Sequence, residues 1–421
     1  MYVRSHPLLF ALLAATRGRP VRRLGGTLLV HGEAAYREAL TRLPLDRTAA
    51  GTTGGAARAA LSGSTDPDAG GGGVLFDQDG SGHRADRRDL AEELGAAGVA
   101  QLRTAWQPLL ARGLAPLVRG AEVDVVALAR ELSGAVVCRL LGSDADPAAV
   151  ATAAAAAAAA SVRTHLPGPP RPGARASAAR TAHALQQLLA PAPAPATDAP
   201  FAGRPARIAS GRPPGGPAIG ESQAPPGESA AALPPSGDAA ESGGRRAAAG
   251  RPGRSGTDPA LAAMVAVAAV NTTVAALPRA VAWCADAGLW DQAADPVLRP
   301  RLVDELLRVT AASPLLPRAA AADGTVGGCP VRGGDRLLLV TRHAAQAHRR
   351  DPDALAPADP ARAHLVFGAG PHACPGARLA RAQLADALAA LAPFRPVVSR
   401  ARVDRRAALP GWRVLTVKAA S

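Results

Sequence analysis

Apolar residues recur three and four positions apart through most of this 421-residue chain, which predicts that helices predominate. Strands are predicted in only three short places, residues 21–30, 331–340 and 397–417. The longest apolar helix pattern begins near Thr257-Asp258-Pro259, where a capping side chain and a proline suit a helix start, and it runs to about Ala285. Further helices are predicted at residues 7–16, 33–43, within 102–141, and at 148–160 and 174–189.

Two stretches interrupt this pattern. Residues 48–73 are rich in glycine, serine and threonine, which predicts a mobile loop. From Pro167 to Gly256, proline, glycine, alanine, serine and arginine dominate outside the helix predicted at 174–189. Such a composition buries too little apolar surface to offset the entropy of ordering the chain. We therefore predict one domain over residues 1–421 that carries a disordered, low-complexity insertion at 191–256.

The formal net charge of +14 raises the question of a nucleic-acid partner. Lys418, however, is the only lysine, so almost all of the positive charge is arginine. The arginines are scattered through Ala-, Gly- and Pro-rich sequence and do not form one basic run with aromatic residues between them. A general bias in composition explains this distribution, and we expect no nucleic-acid partner.

The four cysteines, Cys138, Cys284, Cys329 and Cys374, lie far apart and form no CxxC pair. This spacing argues against a structural zinc site and against a disulfide framework, and it suits a reducing cytosol. The longest N-terminal apolar run, Leu8 to Ala15, is shorter than the roughly 20 residues that cross a bilayer. We therefore expect a cytoplasmic protein without a membrane anchor.

The strongest chemical signal is the segment Phe367-Gly-Ala-Gly-Pro-His-Ala-Cys-Pro-Gly376. Glycines on both sides of Cys374 allow a tight loop that brings backbone amides close to the sulfur. A helical pattern follows, so the amino end of that helix presents unpaired N–H groups and a positive dipole to the same atom. Both features favour a thiolate over a thiol. Cys374 is therefore a candidate metal ligand.

This segment resembles the cysteine-ligand loop of the cytochrome P450 family, Phe-Gly-x-Gly-x-(His/Arg)-x-Cys-x-Gly, and it fills every defined position. The following Leu-Ala-Arg is common in soluble bacterial members. The resemblance implies the mainly α, haem-thiolate P450 fold with a small β component, and haem b as the cofactor. By the same resemblance, Cys374 is the axial iron ligand, Phe367 packs over the sulfur and His372 contacts a haem propionate. Gly376 fills the last glycine position of the motif.

Three further positions match family residues that bind the haem propionates. His83 and Arg87 stand four apart, hence on one helix face, and resemble the family's His-x-x-x-Arg. Taken alone this spacing is typical of many solvated helix faces, and the cysteine motif favours the ligand interpretation. Arg318, which follows Pro314 and Pro317, matches the strand arginine that meets the second propionate.

The centre of the long predicted helix reads Ala268-Ala-Val-Asn-Thr-Thr273 and resembles the family's oxygen-activating groove, Ala-Gly-x-(Asp/Glu)-Thr-Thr. Thr272 then supplies the hydroxyl that passes protons during oxygen activation. Asn271 replaces the usual carboxylate, and an amide cannot relay protons by ionising. A buried polar patch without a catalytic role is the alternative. Pro278 predicts a kink one turn later.

Glu305 and Arg308 match the family's Glu-x-x-Arg, whose spacing lets the two side chains pair on one helix face. Taken alone this is among the commonest helical patterns and indicates a solvated ion pair. Its place between Thr272 and Cys374 favours the family interpretation. The resemblance then implies that Arg362 completes a buried triad with the pair.

The resemblance implies a monooxygenase of bacterial secondary metabolism that inserts one atom of dioxygen into a small-molecule or carrier-bound substrate. Ferredoxin and ferredoxin reductase would supply the electrons, with Arg349, Arg378 and Arg381 as candidate contacts to an acidic ferredoxin. Asn271 and the altered lid region around 191–256 leave a second hypothesis open, oxidative coupling or another non-oxygenating reaction on a large or carrier-bound intermediate. A third hypothesis is a haem-binding protein without turnover.

Overall fold

The computed structural model describes residues 6–52, 54–55, 87–88, 90–165, 172–190 and 259–420. The insertion predicted at 191–256 and most of the loop predicted at 48–73 lie outside these residues. The described helices are α1 (Pro7–Thr16), α2 (Glu33–Thr41), α3 (Ala96–Val118), α4 (Val125–Leu141), α5 (Pro147–His165), α6 (Ala174–Leu189), α7 (Pro259–Ala287), α8 (Trp290–Ala294), α9 (Arg299–Thr310), α10 (Thr341–Ala344), α11 (Pro360–Ala363) and α12 (Ala377–Leu391).

Within the described residues the strands are short and form three small sheets. They are β1 (Val21–Leu24), β2 (Thr27–Val30), β3 (Leu45–Asp46), β4 (Val123–Asp124), β5 (Leu316–Ala320), β6 (Gly324–Val326), β7 (Cys329–Val331), β8 (Arg336–Leu339), β9 (Val397–Asp404) and β10 (Gly411–Lys418). The largest sheet has the order β1-β2-β8-β5-β3, with β2 and β8 parallel and the other pairs antiparallel. The other two sheets have the orders β4-β10-β9 and β6-β7. The prediction of a mainly helical fold with a small β component is confirmed.

The strand pairing predicted around Gly333-Gly334 is wrong. The turn is present, but β7 before it pairs with β6, and β8 after it pairs with β2 and β5. Two apolar runs joined by two glycines are typical of a hairpin, and the local pattern does not reveal that distant strands compete for each edge. The strand pair predicted at 397–417 is present as the antiparallel pair β9 and β10.

The main core lies where α3, α4, α7, α9 and α12 meet. Trp106 of α3 is fully buried there, and its indole N–H donates to Asp386 of α12 over 3.0 Å. An indole has one donor and no acceptor, so this bond lets a large apolar side chain enter the core without leaving a polar atom unpaired. The contact fixes α12, the helix that follows the cysteine loop, against the rest of the core.

The long helix α7 runs through this core and continues through Pro278. Among the described helices it alone is long and apolar enough to cross a membrane, yet half of its most apolar window is buried inside the protein. Such burial is typical of the central helix of a globular core. The helices α5 and α6 pack on its amino-terminal half, where Leu185, Ala266 and Val270 are fully buried.

Candidate functional site

The cysteine loop forms between two short 3₁₀ turns, His364–Phe367 and Gly370–His372, and the start of α12. Gly368 and Gly370 have positive φ angles, 82° and 70°, which side chains with a Cβ rarely adopt. The Cys374 N–H donates to the Phe367 carbonyl over 2.7 Å and closes the loop. Gly368 and Gly370 are therefore required by the backbone that presents the cysteine.

The Cys374 side chain is exposed to solvent, whereas Cys138 and Cys284 are buried and Cys329 is half-buried. Protein atoms nevertheless surround the sulfur closely, and the resulting loss of hydration raises the pKa of the thiol. A hydrogen bond from the Gly376 backbone and the charges of Arg87 and Arg381 act in the opposite direction, with smaller effect. A metal cation deprotonates a coordinating thiol, so this partly open sulfur with nearby positive charge fits a metal ligand.

Arg87 reaches the cysteine loop directly, because its guanidinium Nη2 donates to the Ala373 carbonyl over 2.8 Å. Burial lowers the pKa of Arg87, and the nearby Cys374 raises it. The structure thus brings together Arg87 and Cys374, two residues predicted separately from the sequence. His83 lies outside the described residues, and the side chain of His372 is not described.

Phe367 is held between two groups that the sequence did not connect with the site. The Arg381 guanidinium lies 4.8 Å from the centre of its ring, and the His364 ring lies 5.7 Å away, centre to centre. Arg381 also donates from Nε to Asp304 of α9 over 2.6 Å. Arg381, predicted as a contact for a redox partner, is therefore already paired inside this protein. Arg381 stands one helical turn beyond Ala377, the first residue of α12, and this position was the only indication in the sequence that its side chain lies near the cysteine loop.

Arg318 lies on β5, and Tyr36 connects its surroundings with the cysteine loop. Burial lowers the pKa of Arg318, Arg47 lowers it further, and Tyr36 nearby raises it. The Tyr36 hydroxyl bonds with Thr341 over 3.1 Å and donates to the Leu365 carbonyl, just before Phe367, over 3.4 Å. A half-buried guanidinium near a second arginine is complementary to an anionic group of a ligand.

Asn271 and Thr272 lie on α7 as predicted, but their polar atoms serve different contacts. The Asn271 amide donates to the Val267 carbonyl over 2.7 Å and to the Ala154 carbonyl of α5 over 3.3 Å. The Thr272 hydroxyl donates to the Ala268 carbonyl over 2.7 Å. Asn271 therefore bridges two helices, while Thr272 keeps its hydroxyl within α7.

Glu305 and Arg308 form a bidentate ion pair with bonds of 2.9 and 2.7 Å, and each side chain is only 1% exposed. Arg308 also donates to three backbone carbonyls of the segment that leads toward the cysteine loop, those of Gln346, Arg350 and Asp351. The solvated alternative is thus ruled out, since the pair is buried.

The predicted triad with Arg362 is wrong. Arg362 donates to Glu33 of α2 over 2.7 Å, and its side chain is about one-third exposed. Glu305 Oε1, which accepts from Arg308 Nε, instead also accepts the Ala358 backbone N–H over 3.0 Å. A backbone amide thus takes the place that the resemblance gave to a guanidinium. The short segment between Asp351 and Pro360 leaves the Glu305 carboxylate within reach of that amide.

Residues 296–392 match the model of the family described as Cytochrome P450. The matched region contains the buried Glu305–Arg308 pair, the complete cysteine loop and α12. Over residues 296–392 the chain is therefore similar to the cytochrome P450 family.

Known P450 structures extend this likeness over nearly the whole fold. The crystal structure of CalO2 aligns with a TM-score of 0.67 at 19% identity and covers 99% of this chain and 97% of that chain. A mutant of P450 EryK in complex with erythromycin B aligns with a TM-score of 0.65 at 19% identity, over 99% of this chain and 97% of that chain. P450BioI, in complex with a fatty-acyl carrier protein, aligns with a TM-score of 0.65 at 16% identity, over 100% and 99%. At these identities the likeness shows the fold.

Curated P450 relatives match over a shorter region. The 20-oxo-5-O-mycaminosyltylactone 23-monooxygenase of Streptomyces fradiae is 41% identical over 99 residues, 23% of this chain and 24% of the relative. The nocardicin C N-oxygenase of Nocardia uniformis subsp. tsuyamanensis is 41% identical over 101 residues, 23% of this chain and 25% of the relative. The chain thus matches about a quarter of the length of these relatives.

Proposed function

We propose that this protein is a haem-thiolate monooxygenase of bacterial secondary metabolism, in which Cys374 would hold the haem iron. The observation that carries the proposal is the exposed residue Cys374 in a glycine-shaped loop, with Arg87 and the Gly376 N–H beside its sulfur. The relatives from Streptomyces fradiae and Nocardia uniformis are named as oxygenases and support the same reaction type.

The residues around the loop fit haem b. Cys374 would hold the iron, Gly376 would stabilise the thiolate through its N–H, and Phe367 would cover the sulfur. Arg87 and Arg318 would pair with the propionates, since buried guanidinium groups favour carboxylate partners. His83 and His372 would complete the propionate contacts. When bound, haem supplies dioxygen activation: one oxygen atom enters the substrate, and two electrons and two protons convert the other to water.

This chain's own contribution to that reaction is the control of protons along α7. Thr272 would pass protons to the reacting oxygen, because its hydroxyl both donates and accepts. Asn271 keeps α5 against α7 through its amide and does not ionise. Water oriented by the Thr272 hydroxyl is therefore the proposed immediate proton source.

Ferredoxin and ferredoxin reductase are the proposed electron donors, and the cytoplasm the proposed location. Arg349 and Arg378 are exposed and have no partner within the described residues, so they remain candidate contacts to an acidic ferredoxin. Arg381 is removed from that set by its bond to Asp304. The substrate is proposed to be a small molecule or a carrier-bound intermediate; the P450BioI complex with an acyl carrier protein is the precedent for the latter.

Asn271 favours a second candidate function, oxidative coupling or another non-oxygenating reaction on a large or carrier-bound intermediate. Asn271 cannot relay protons by ionising, unlike the carboxylate that the resemblance implies for an oxygenase. Product mass separates the candidates, because oxygenation adds one oxygen atom and coupling removes two hydrogen atoms. Bound haem without turnover by any reductant would instead indicate a haem-binding protein.

The proposed ligand is tested by the absorption spectrum of the dithionite-reduced, carbon monoxide-bound protein. We expect the thiolate-type spectrum from the wild type and its loss in Cys374→Ser. Cys329→Ser is the matched control, because Cys329 is half-buried and lies on β7. A thiolate-type spectrum that persists in Cys374→Ser would overturn the proposal.

A further inference from the structure

The outward side of α1 is apolar, which is unusual for a helix at a protein surface. The helix Pro7–Thr16 contains no charged residue. Its inward side chain Leu13 is 1% exposed and packs against Leu29 of β2. On the outward side Leu8 is 86% exposed and Leu12 is 46% exposed. A surface helix normally carries polar residues on its outward side, so this face is suited to contact with another apolar surface.

The exposed apolar residues of α1 form one stripe. Leu8, Ala11, Leu12 and Ala15 stand three or four positions apart, and all four are exposed. This spacing puts them on one side of the helix. At 1.5 Å per residue the helix is about 15 Å long, so it can lie along an apolar surface but cannot cross a bilayer.

Positive charge follows the stripe directly. Arg17 and Arg19 lie in the connection between α1 and β1, Arg22 lies on β1, and all three are exposed. None of the three has a hydrogen-bond or ion-pair partner among the residues that the structure describes. The first acidic residue of the whole sequence is Glu33. The segment from α1 to β2 therefore has no carboxylate of its own to neutralise these guanidinium groups.

The pairing of β1 with β2 puts an arginine and a leucine on the side of the sheet that carries α1. Arg22 stands opposite Leu29. Leu24, which is 39% exposed, stands opposite Thr27. Residues directly opposite each other in an antiparallel pair share a face, and so do residues two apart in one strand. Because Leu29 packs against α1, Arg22 and Leu24 extend the same surface.

We propose that α1 and the exposed face of β1 dock on the surface of an anionic phospholipid bilayer. The three exposed leucines would enter the boundary between headgroups and acyl chains, and the three unpaired arginines would lie beside lipid phosphates. Apolar residues flanked by arginine suit a helix that lies in the plane of a membrane surface. A fluid bilayer also accepts a convex apolar helix without a matching groove.

A second copy of the chain fits this surface less well, because a two-fold contact would place the same arginines of both copies near each other. The docking is reversible and needs no membrane-spanning anchor, so it agrees with a cytoplasmic protein. It is separate from the cysteine loop and does not depend on the proposed function.

Sedimentation of the haem-loaded, full-length protein with lipid vesicles tests the proposal. Vesicles of equal parts phosphatidylcholine and phosphatidylglycerol are the anionic probe, and vesicles of phosphatidylcholine alone are the uncharged one. We expect at least about tenfold tighter binding to the anionic vesicles. Arg19→Gln and Arg22→Gln should each weaken that binding about fivefold, because each arginine near an anionic surface contributes a factor of this size. Leu8→Ala should weaken it about tenfold, since it removes apolar surface that the lipid would bury.

Leu355→Ala and Arg175→Gln are the matched controls. Leu355 is 70% exposed, Arg175 is exposed on α6, and neither belongs to α1 or β1. Both variants should bind vesicles like the wild type. Equal losses in Arg175→Gln and Arg22→Gln would mean that net charge alone attracts the protein, and would overturn the proposal. Unchanged binding of Leu8→Ala, or equal binding to the two kinds of vesicle, would overturn it as well.

Gel filtration of the same proteins identifies the alternative occupant. We expect the wild type and Leu8→Ala to elute alike. A wild type that binds no vesicles overturns the proposal, and if it elutes as a dimer that Leu8→Ala separates, a second copy of the chain covers the stripe instead of lipid.

Discussion

Asn271 and Thr272 are neighbours in the sequence, yet their side chains form hydrogen bonds with different helices. The Asn271 amide bonds to α5 through the Ala154 carbonyl, whereas Thr272 bonds only to carbonyls of its own helix. An amide is a better bridge between two carbonyl oxygens than a carboxylate, because it can donate to both. The departure from the family's acidic residue is thus compensated by a helix–helix contact.

Replacing Asn271 by aspartate tests whether an ionisable group here improves proton delivery at the cost of the contact between α5 and α7. An aspartate adds an ionisable group beside Thr272, so we expect hydrogen peroxide released per electron pair to fall roughly twofold or more. The same change removes the donor to Val267 and Ala154, and lost hydrogen bonds of buried groups cost about 1–3 kcal/mol. The urea midpoint of unfolding should therefore decrease. Peroxide assays and urea titration measure the two effects.

Thr272→Ala is the matched control for proton delivery. It removes the proposed proton-passing hydroxyl and leaves the Asn271 bridge in place, so peroxide release should rise without a large loss of stability. Equal peroxide release in the wild type and both variants would show that α7 does not deliver protons. If the enzyme performs oxidative coupling, Asn271→Asp should be neutral or harmful to turnover.

Three histidines meet away from the cysteine loop and make stability depend on pH. His31 and His343 are buried and share a contact of 2.8 Å between their Nδ1 atoms, and the His348 ring lies 4.7 Å from that of His343. Burial lowers the pKa of His31 to about 4, with His348 adding to the effect. Burial, the two other histidines, Arg342 and Arg17 lower the pKa of His343 to about 3.

Both pKa values lie below the ordinary value of 6.5, so the unfolded chain binds more protons than the folded protein as the pH falls below 6.5. Stability should therefore be complete above pH 6.5 and decrease toward pH 4, with a slope of up to about 1.4 kcal/mol per pH unit for each proton. In His31→Gln we expect a shallower decrease of the urea midpoint over this range. His183→Gln, on the exposed face of α6, should keep the wild-type slope. Matching slopes in wild type and His31→Gln would contradict the assignment.

At the scale of elements, the Glu305–Arg308 pair ties α9 to the segment before the cysteine loop. Glu305→Gln leaves Arg308 charged and buried without its partner, which costs about 3–5 kcal/mol. We expect a marked fall in the urea midpoint and in the amount of haem retained during purification. Haem loss should accompany the fall, because Arg308 holds the carbonyls of Gln346 and Arg350 in the chain that leads to Cys374.

Arg362→Gln tests whether Arg362 pairs with Glu33, as observed, or supports the Glu305–Arg308 pair, as the expected triad requires. Arg362 pairs with the partly exposed Glu33, and exposed ion pairs are worth about 0–1 kcal/mol. Arg362→Gln should therefore resemble the wild type in stability and haem content. An effect as large as that of Glu305→Gln would mean that Arg362 supports the buried pair after all.

The sequence predicted those parts of the fold and site whose signals are local. The α7 pattern, with a proline at its start and an unbroken apolar run, gave bounds within a few residues of Pro259–Ala287. The cysteine loop was predictable because its backbone requires glycine at two positions, Gly368 and Gly370, where φ is positive, and glycines at these positions are visible in the sequence.

Contacts between distant segments could not be predicted in this way. Whether Arg362 meets Glu305 or Glu33 depends on how α2 packs against α11, and no pattern near Arg362 encodes that contact. The pairing of β8 with β2 could not be predicted for the same reason, because it joins strands about 300 residues apart in the sequence.

At the scale of the whole molecule, the net charge of +14 affects encounter with partners more than it affects the fold. Many arginines are already paired inside the protein, as Arg381 is with Asp304 and Arg103 with Asp386. Exposed arginines without a partner within the described residues, Arg349 and Arg378 among them, are the ones available to attract an acidic protein.

Charge reversal at these two positions tests the proposed ferredoxin surface. Arg378→Glu and Arg349→Glu should each raise the KM for a reduced acidic ferredoxin about threefold or more, because opposite charges speed association and like charges oppose it. The effect should shrink as salt is raised from about 0.01 M to 0.15 M, since screening shortens the reach of surface charges. Arg175→Glu on the exposed face of α6 carries the same charge change away from α12 and should keep the wild-type KM. If all three variants lose affinity equally, the net charge of the protein attracts the partner, and Arg349 and Arg378 do not mark a specific ferredoxin surface.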